Sequence, residues 1–187
     1  TLATAVNYAV DLRHAGELDE ARELSDSTLD RYRRMFGDKH VYTLSARTNL
    51  AVVLRIQGDL QAAHRHNSEA WQALTATLGD SHPVTLTCAT NLASDLYARG
   101  DHQQAYERDV DTLAKSERKL GAEHPSTLAV GVNLALDLRA LGRTNEGDKI
   151  LSDTMSRLRA TLGERHPATL NALQSTRADC DVDPMPL

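Results

Sequence analysis

The sequence predicts an all-α fold, a right-handed superhelical solenoid of antiparallel helix pairs, and three observations carry that prediction. The first is a fixed period. GDKHVYTL (Gly37–Leu44), GDSHPVTL (Gly79–Leu86), GAEHPSTL (Gly121–Leu128) and GERHPATL (Gly163–Leu170) restate one phrase every 42 residues without slippage. The second is helical spacing of apolar residues inside each period, as in Leu86, Ala89, Leu92, Ala93 and Leu96. The third is composition. Aromatics are only 4%, while Ala and Leu are abundant, which favours helices packed through small aliphatic side chains over a β-sandwich.

The elements follow in order from the register. Thr-Leu opens each unit at Thr1, Thr43, Thr85 and Thr127, and Asn follows at 7, 49, 91 and 133. Leu recurs at 12, 54, 96 and 138, and Gly at 16, 58, 100 and 142. Pro83, Pro125 and Pro167 stand where the first residue of a helix loses nothing by lacking an N–H. Gly100 ends that helix, and Asp101 is placed to cap the next. The second helix runs to Leu120, where Gly121 stops it. Small Ala21, Ala63 and Ala105, with Gly147 in the fourth unit, let the two helices of a pair approach closely. One pair cannot bury its apolar face alone, but stacked pairs can.

The array is expected to occupy residues 1–178 as units 1–36, 37–78, 79–120, 121–162 and a partial 163–178, about four and a half pairs. Residues 1–15 form its first helix and 167–178 its last. Residues 179–187, DCDVDPMPL, read as an irregular tail. Because the chain opens at Thr1 in the middle of a unit, it reads as a segment of a longer protein.

The pattern HPxTLxxxxNLAxxLxxxGxxxxA resembles the tetratricopeptide repeat, in the 42-residue variety of kinesin light chains and many bacterial proteins. The excess of Arg over Lys resembles high-GC bacterial proteins. The tail is similar to the ends of actinobacterial multidomain proteins in which such repeats follow a nucleotide-binding module. No Walker motif is present.

The repeated His40, His82, His124 and His166 invite a metal reading. Equivalent residues on helices about 8–10 Å apart are too distant to share an ion whose bonds are about 2 Å long, so they are expected to be structural. His64 and His66, two apart on one helix, do not face each other. With no HExxH, nucleophile elbow or P-loop, neither catalysis nor a cofactor nor a metal is expected. Cys88 aligns with small residues and Trp71 with Leu29, Leu113 and Met155, so both read as core. Two cysteines without CxxC spacing, and no apolar run long enough for a membrane span, point to a reducing, cytoplasmic setting. A formal charge of −5 argues against nucleic-acid and membrane partners.

The resemblance puts the first helix of each pair on the concave wall, and with it the mid-helix column Asn7, Asn49, Asn91 and Asn133. Asn is a mediocre helix former, so its recurrence has another cause. Its carboxamide complements a peptide bond, and a ladder of them can grip an extended peptide; the other reading is that each Asn braces the adjacent pair. Four residues on, Asp11, Asp95 and Asp137 share that face, interrupted by Val53. Arg13, Arg55 and Arg139 edge the groove, interrupted by Tyr97. The acidic column favours a ligand with basic or amide-rich groups; the other reading is that these aspartates and arginines pair between neighbouring helices.

The expected function is therefore a protein–protein interaction scaffold that takes a peptide or partner domain in its groove. The alternative is a sensor segment of a larger signalling ATPase of the STAND type, contacting its own nucleotide-binding domain. Val6, Ala9 and Val10 at the first helix are expected to be partly uncovered, allowing weak self-association through the solenoid ends.

Overall fold

The computed structural model describes residues 1–182, in which nine α-helices and no strands are found. They are α1 (Leu2–Ala15), α2 (Leu18–Phe36), α3 (Val41–Ile56), α4 (Leu60–Leu78), α5 (Pro83–Ala98), α6 (His102–Leu120), α7 (Pro125–Ala140), α8 (Thr144–Leu162) and α9 (Pro167–Leu173). Each helix packs on the ones before and after it in sequence. The odd-numbered helices also touch one another, α1 with α3, α3 with α5 and α5 with α7. They form the inner wall and the even-numbered helices the outer layer of a right-handed superhelical solenoid.

Local chemistry explains the joints. At the start of the inner helices, the Nδ1 atoms of His40, His82, His124 and His166 accept the N–H two residues on, each at 3.2 Å. The repeated histidine is thus an N-cap, satisfying a donor that the helix leaves free. The glycine before it adopts a φ near +90° with an extended ψ, as at Gly79 (φ 88°, ψ 162°), a conformation open essentially to Gly alone. The threonine of the phrase ties back to that glycine: Thr43 Oγ1 donates to the Gly37 carbonyl at 2.8 Å and Thr169 Oγ1 to Gly163 at 2.9 Å.

Between the helices of a pair the turn is closed by two backbone bonds, as where Gly58 N–H returns to Arg55 and Asp59 N–H to Leu54. Asp59 caps α4 through Ala62 N–H. Asp101 occupies the same position before α6 but makes no such bond. Its carboxylate faces Arg99 at 3.5 Å instead, which corrects the expected cap.

Burial separates the two layers. The central inner helices α3, α5 and α7 are walled on nearly all sides, so α3 is buried continuously from Thr43 to Leu54. The outer helices bury one stripe each, in α4 Ala62, Ala63, Asn67, Ala70 and Leu74. Ala21, Ala63 and Ala105 are fully buried at the helix–helix contact. At Gly147 the approach is closer still. A Cβ there would lie 2.6 Å from the Ala135 carbonyl oxygen.

Two expectations need correction. Val6 and Ala9 are buried, because α2 and α3 fold over them with Leu29, Tyr32 and Leu50; among the three residues expected to be uncovered, only Val10 is partly exposed. The last helix, expected to reach residue 178, stops at Leu173. Ser175 turns the backbone to a φ of +54°, and Thr176 N–H closes the turn on the Asn171 carbonyl at 3.0 Å. Beyond that point the chain finds its hydrogen bonds elsewhere. Of the expected irregular tail, residues 183–187 lie outside the described residues.

Candidate functional site

Among the described residues after Thr176 there is no helix, yet residues 177–182 are held along their length. Residues 177–182 lie against the inner wall, running from α7 back to α3, opposite to the order of the repeats. Three asparagines hold them. Asn133 Nδ2 donates to the Ala178 carbonyl at 3.0 Å and its Oδ1 accepts Ala178 N–H at 2.7 Å. Asn91 does the same for Cys180, at 2.6 and 3.1 Å, and Asn49 for Val182, at 3.0 and 2.9 Å. Each carboxamide engages both main-chain groups of one residue, and successive units engage every second residue.

That period has a geometric cause. Two extended residues span at most about 7 Å, less than the roughly 8–10 Å between packed helix axes. Side chains on the inside of a curved array converge, which brings the carboxamides into the shorter spacing. The carboxamides bond the segment and not the neighbouring helix pair.

Alternation along an extended chain sends the intervening side chains the other way. Arg177, Asp179 and Asp181 each find an opposite charge. Arg177 is the most completely enclosed: its Nη1 donates to Asp137 Oδ1 at 2.5 Å and to the Asn133 carbonyl at 3.3 Å, and its Nη2 donates to Asp109. Its Nε donates to Ser94 Oγ at 2.9 Å, and the guanidinium lies over the Tyr97 ring at 4.7 Å. Asp179 accepts Arg55 Nη2 at 2.5 Å. Asp181 accepts both Nη atoms of Arg13, at 2.7 and 2.8 Å, a bidentate pair.

Beneath these contacts the wall carries charge of its own. Asp95 is fully buried between Arg55, at 2.5 Å, and Asn67 Nδ2, at 2.7 Å. Burial raises its carboxyl above the usual range, against the pull of Arg55. Burial likewise raises Asp109, strongly, and Asp137, with Arg177 opposing in both cases. Burial would lower Arg55, but Asp179 and Asp95 outweigh it and leave the guanidinium above its ordinary value. Cys88 is sealed in the core and Cys180 is partly buried in the groove. Burial pushes both thiols up to about 12, so neither is a ready nucleophile.

Of the residues read from the sequence, Asn49, Asn91, Asn133, Asp95, Asp137, Arg13 and Arg55 converge on this wall. Arg139 sits at its far end, bonded to Asp148 at 2.8 Å and to Ser175 Oγ at 3.0 Å. Asn7 and Asp11 are exposed on α1, and neither side chain has a hydrogen-bond partner among the described residues. The sequence reading did not anticipate Arg177, Asp179 and Asp181, or Asn67, Asp109 and Tyr97 as wall residues. The signal was present in ArgAlaAspCysAspVal, where charged and small residues alternate.

The comparisons with known proteins agree with this architecture. Family models described as tetratricopeptide repeat match residues 1–74, 85–126 and 127–168. A crystal structure of a kinesin-light-chain-like protein from Podosopora anserina, with nearly identical TPR-like repeats, superimposes with a TM-score of 0.75 at 26% identity. The match covers 93% of this chain and 82% of that one, and a singly substituted form of the same protein gives the same values. BtubC (BKLC) from P. vanneervenii matches at a TM-score of 0.72 and 18% identity over 89% of this chain and 66% of that chain, which is a likeness of fold. No curated protein sequence matches. Among the described residues, no helix is long and apolar enough to cross a membrane.

Proposed function

We propose, on the premise that this chain belongs to the tetratricopeptide repeat family, that its concave groove holds an extended peptide by the main chain, with Asn49, Asn91 and Asn133 as the gripping ladder. Tetratricopeptide repeats mediate protein–protein interactions, and the proposal locates that role in this chain. The observation that carries it is the double bond set of each carboxamide to residues 178, 180 and 182. A primary amide supplies one acceptor and a donor pair, the complement of any peptide bond, so the ladder favours extended main chain without dictating sequence.

The chain's own segment stands in for the ligand. Main-chain bonds of this kind contribute about 0.5–1.5 kcal/mol each. The asparagines that offer them are buried residues of α3, α5 and α7, so little ordering is lost there on binding. A tethered segment competes at an effective concentration on the order of millimolar, and an outside peptide has to displace it. Asn7 and Asp11 at one end and Arg139 at the other would extend the contact surface.

The test is panning of displayed random peptides on the full chain, with counter-selection on an Asn49→Leu, Asn91→Leu, Asn133→Leu variant and circular dichroism of both. The expected result is enriched peptides that the variant does not retain. Enrichment of none, or equal retention by a folded variant, would remove the groove from the function.

A further inference from the structure

The segment's charges are not placed at random along the wall; they answer places where the repeat departs from its own pattern. Three positions meet at each junction between units: the Arg column, a position on the outer helix, and the Asp column of the next unit. At the second junction these are Arg55, Asn67 and Asp95, and they satisfy one another, with Asp95 accepting from both partners. Forty-two residues on, the same positions hold Tyr97, Asp109 and Asp137. The cation has become a ring and the amide a second carboxylate, so two fully buried acids lie together with no arginine or lysine from the array, His102 being the array's base beside Asp137. Forty-two residues back, the positions hold Arg13, Ser25 and Val53. There a buried arginine has no acid from the array.

Left unanswered, each break is costly, because a buried charge needs an opposite charge and hydrogen bonds. The segment answers both. Arg177 enters the diacid pocket and Asp181 pairs with Arg13, four residues apart, while Asp179 takes the outward face of the already paired Arg55. The carboxamide ladder fixes the spacing between them at two residues per unit.

We infer that the groove selects a partner protein's extended segment in which arginine stands four residues before an acidic residue, with small residues between at the ladder positions. This rests on the reading of the groove as a peptide site. The diacid pocket is built for guanidinium in particular. Nε, Nη1 and Nη2 of Arg177 each have a separate acceptor and the plane lies on Tyr97, an arrangement that a single ammonium cannot reproduce. Direction is set as well, since reversal of the peptide would place its acid in the diacid pocket and its arginine on Arg13.

The experiment uses the full chain carrying Arg177→Ala and Asp181→Ala, which loosens the resident segment, and a fluorescent peptide of residues 175–182 with Cys180→Ser. Anisotropy should show saturable binding at least ten-fold tighter than to the unaltered chain. In the peptide, Arg177→Lys, Arg177→Ala and Asp181→Ala should each weaken binding at least ten-fold, and Asp179→Ala by less. Adding Tyr97→Arg to the protein should abolish the preference for arginine in the peptide. Equal affinity of all the charge variants would overturn the selection rule and leave the groove reading standing, and failure of every peptide to bind would overturn both. If the double variant does not fold, hydrogen exchange of the resident Ala178, Cys180 and Val182 amides in the unaltered chain is read with excess peptide. Faster exchange is expected, and unchanged exchange overturns the proposal. Sedimentation of the same samples covers another occupant. A dimer that the peptide dissociates would assign the groove to a second copy's segment and overturn the partner proposed here.

Discussion

Asn91 and Cys180 stand 89 residues apart in sequence and exchange two hydrogen bonds across the groove, one in each direction. The contact is the middle rung of three. Its neighbours Asn133–Ala178 and Asn49–Val182 repeat the geometry, so the segment is fixed in register as a strand would be, with side-chain amides replacing the adjacent strand.

Replacing Asn91 by Leu removes both bonds and leaves the Cys180 N–H and carbonyl against an apolar surface. A loss of about 1–3 kcal/mol is expected for buried groups stranded in this way. Hydrogen exchange at Ala178, Cys180 and Val182 should accelerate together, while the amides of α3, α5 and α7 stay protected. Unaltered protection of the segment would show that the ladder does not hold it.

Arg177→Ala leaves Asp109 and Asp137 without a cation, at a cost of about 3 kcal/mol at neutral pH. The sign of its pH dependence follows from proton binding. Both carboxyls already lie above the ordinary 3.8 in the folded chain because of burial, with Arg177 holding them down, and its removal lets them rise further. A folded state that binds protons more tightly than the unfolded one gains stability as pH falls. The variant should therefore be weakest above the raised folded values and recover part of the loss as pH descends toward 3.8. Urea titrations of variant and unaltered chain across that range should converge on the acid side. A gap that widens toward acid would contradict the assignment.

Gly147→Ala tests the tightest helix approach. Alanine is the better helix former by about 1 kcal/mol, but its Cβ would lie 2.6 Å from the Ala135 carbonyl oxygen, a backbone atom that cannot move alone. Overpacking of this kind costs about 1–3 kcal/mol, so net destabilisation is expected in thermal or urea unfolding. A more stable variant would mean that α7 and α8 separate freely.

His82→Ala removes the Nδ1 acceptor from Val84 N–H and should cost about 1 kcal/mol, whereas His82→Asn, which can cap in the same way, should cost little. Equal losses would assign the histidine to packing alone.

The repeat made most of the array legible. A residue recurring at one register position four times, such as the capping histidine or the groove asparagine, announces a role that a single occurrence does not. For the same reason the departures were hard to read: Tyr97 and Val53 looked like lapses in their columns, and their meaning depends on Arg177 and Asp181, which belong to no repeat. The end of α9 escapes a local reading because GERHPATL restates the phrase faithfully up to Leu170, and nothing nearby requires the turn at Ser175. What draws the chain away is the set of unsatisfied partners on the inner wall, from Asn133 to Asn49. That competition is tertiary and leaves no trace in local propensity.

The bond between Arg13 and Asp181 closes a loop of 168 residues in a class of fold whose contacts otherwise join only neighbours. A coil of that kind behaves as a spring, able to stretch or fray from either end at small cost. Here a cord without helical slack runs along the inside of the coil, fastened at three turns. The spring can lengthen only by shedding its fastenings, so tension on the array is borne first by three asparagines and the ion pairs of Arg177, Asp179 and Asp181, and the helices yield after them.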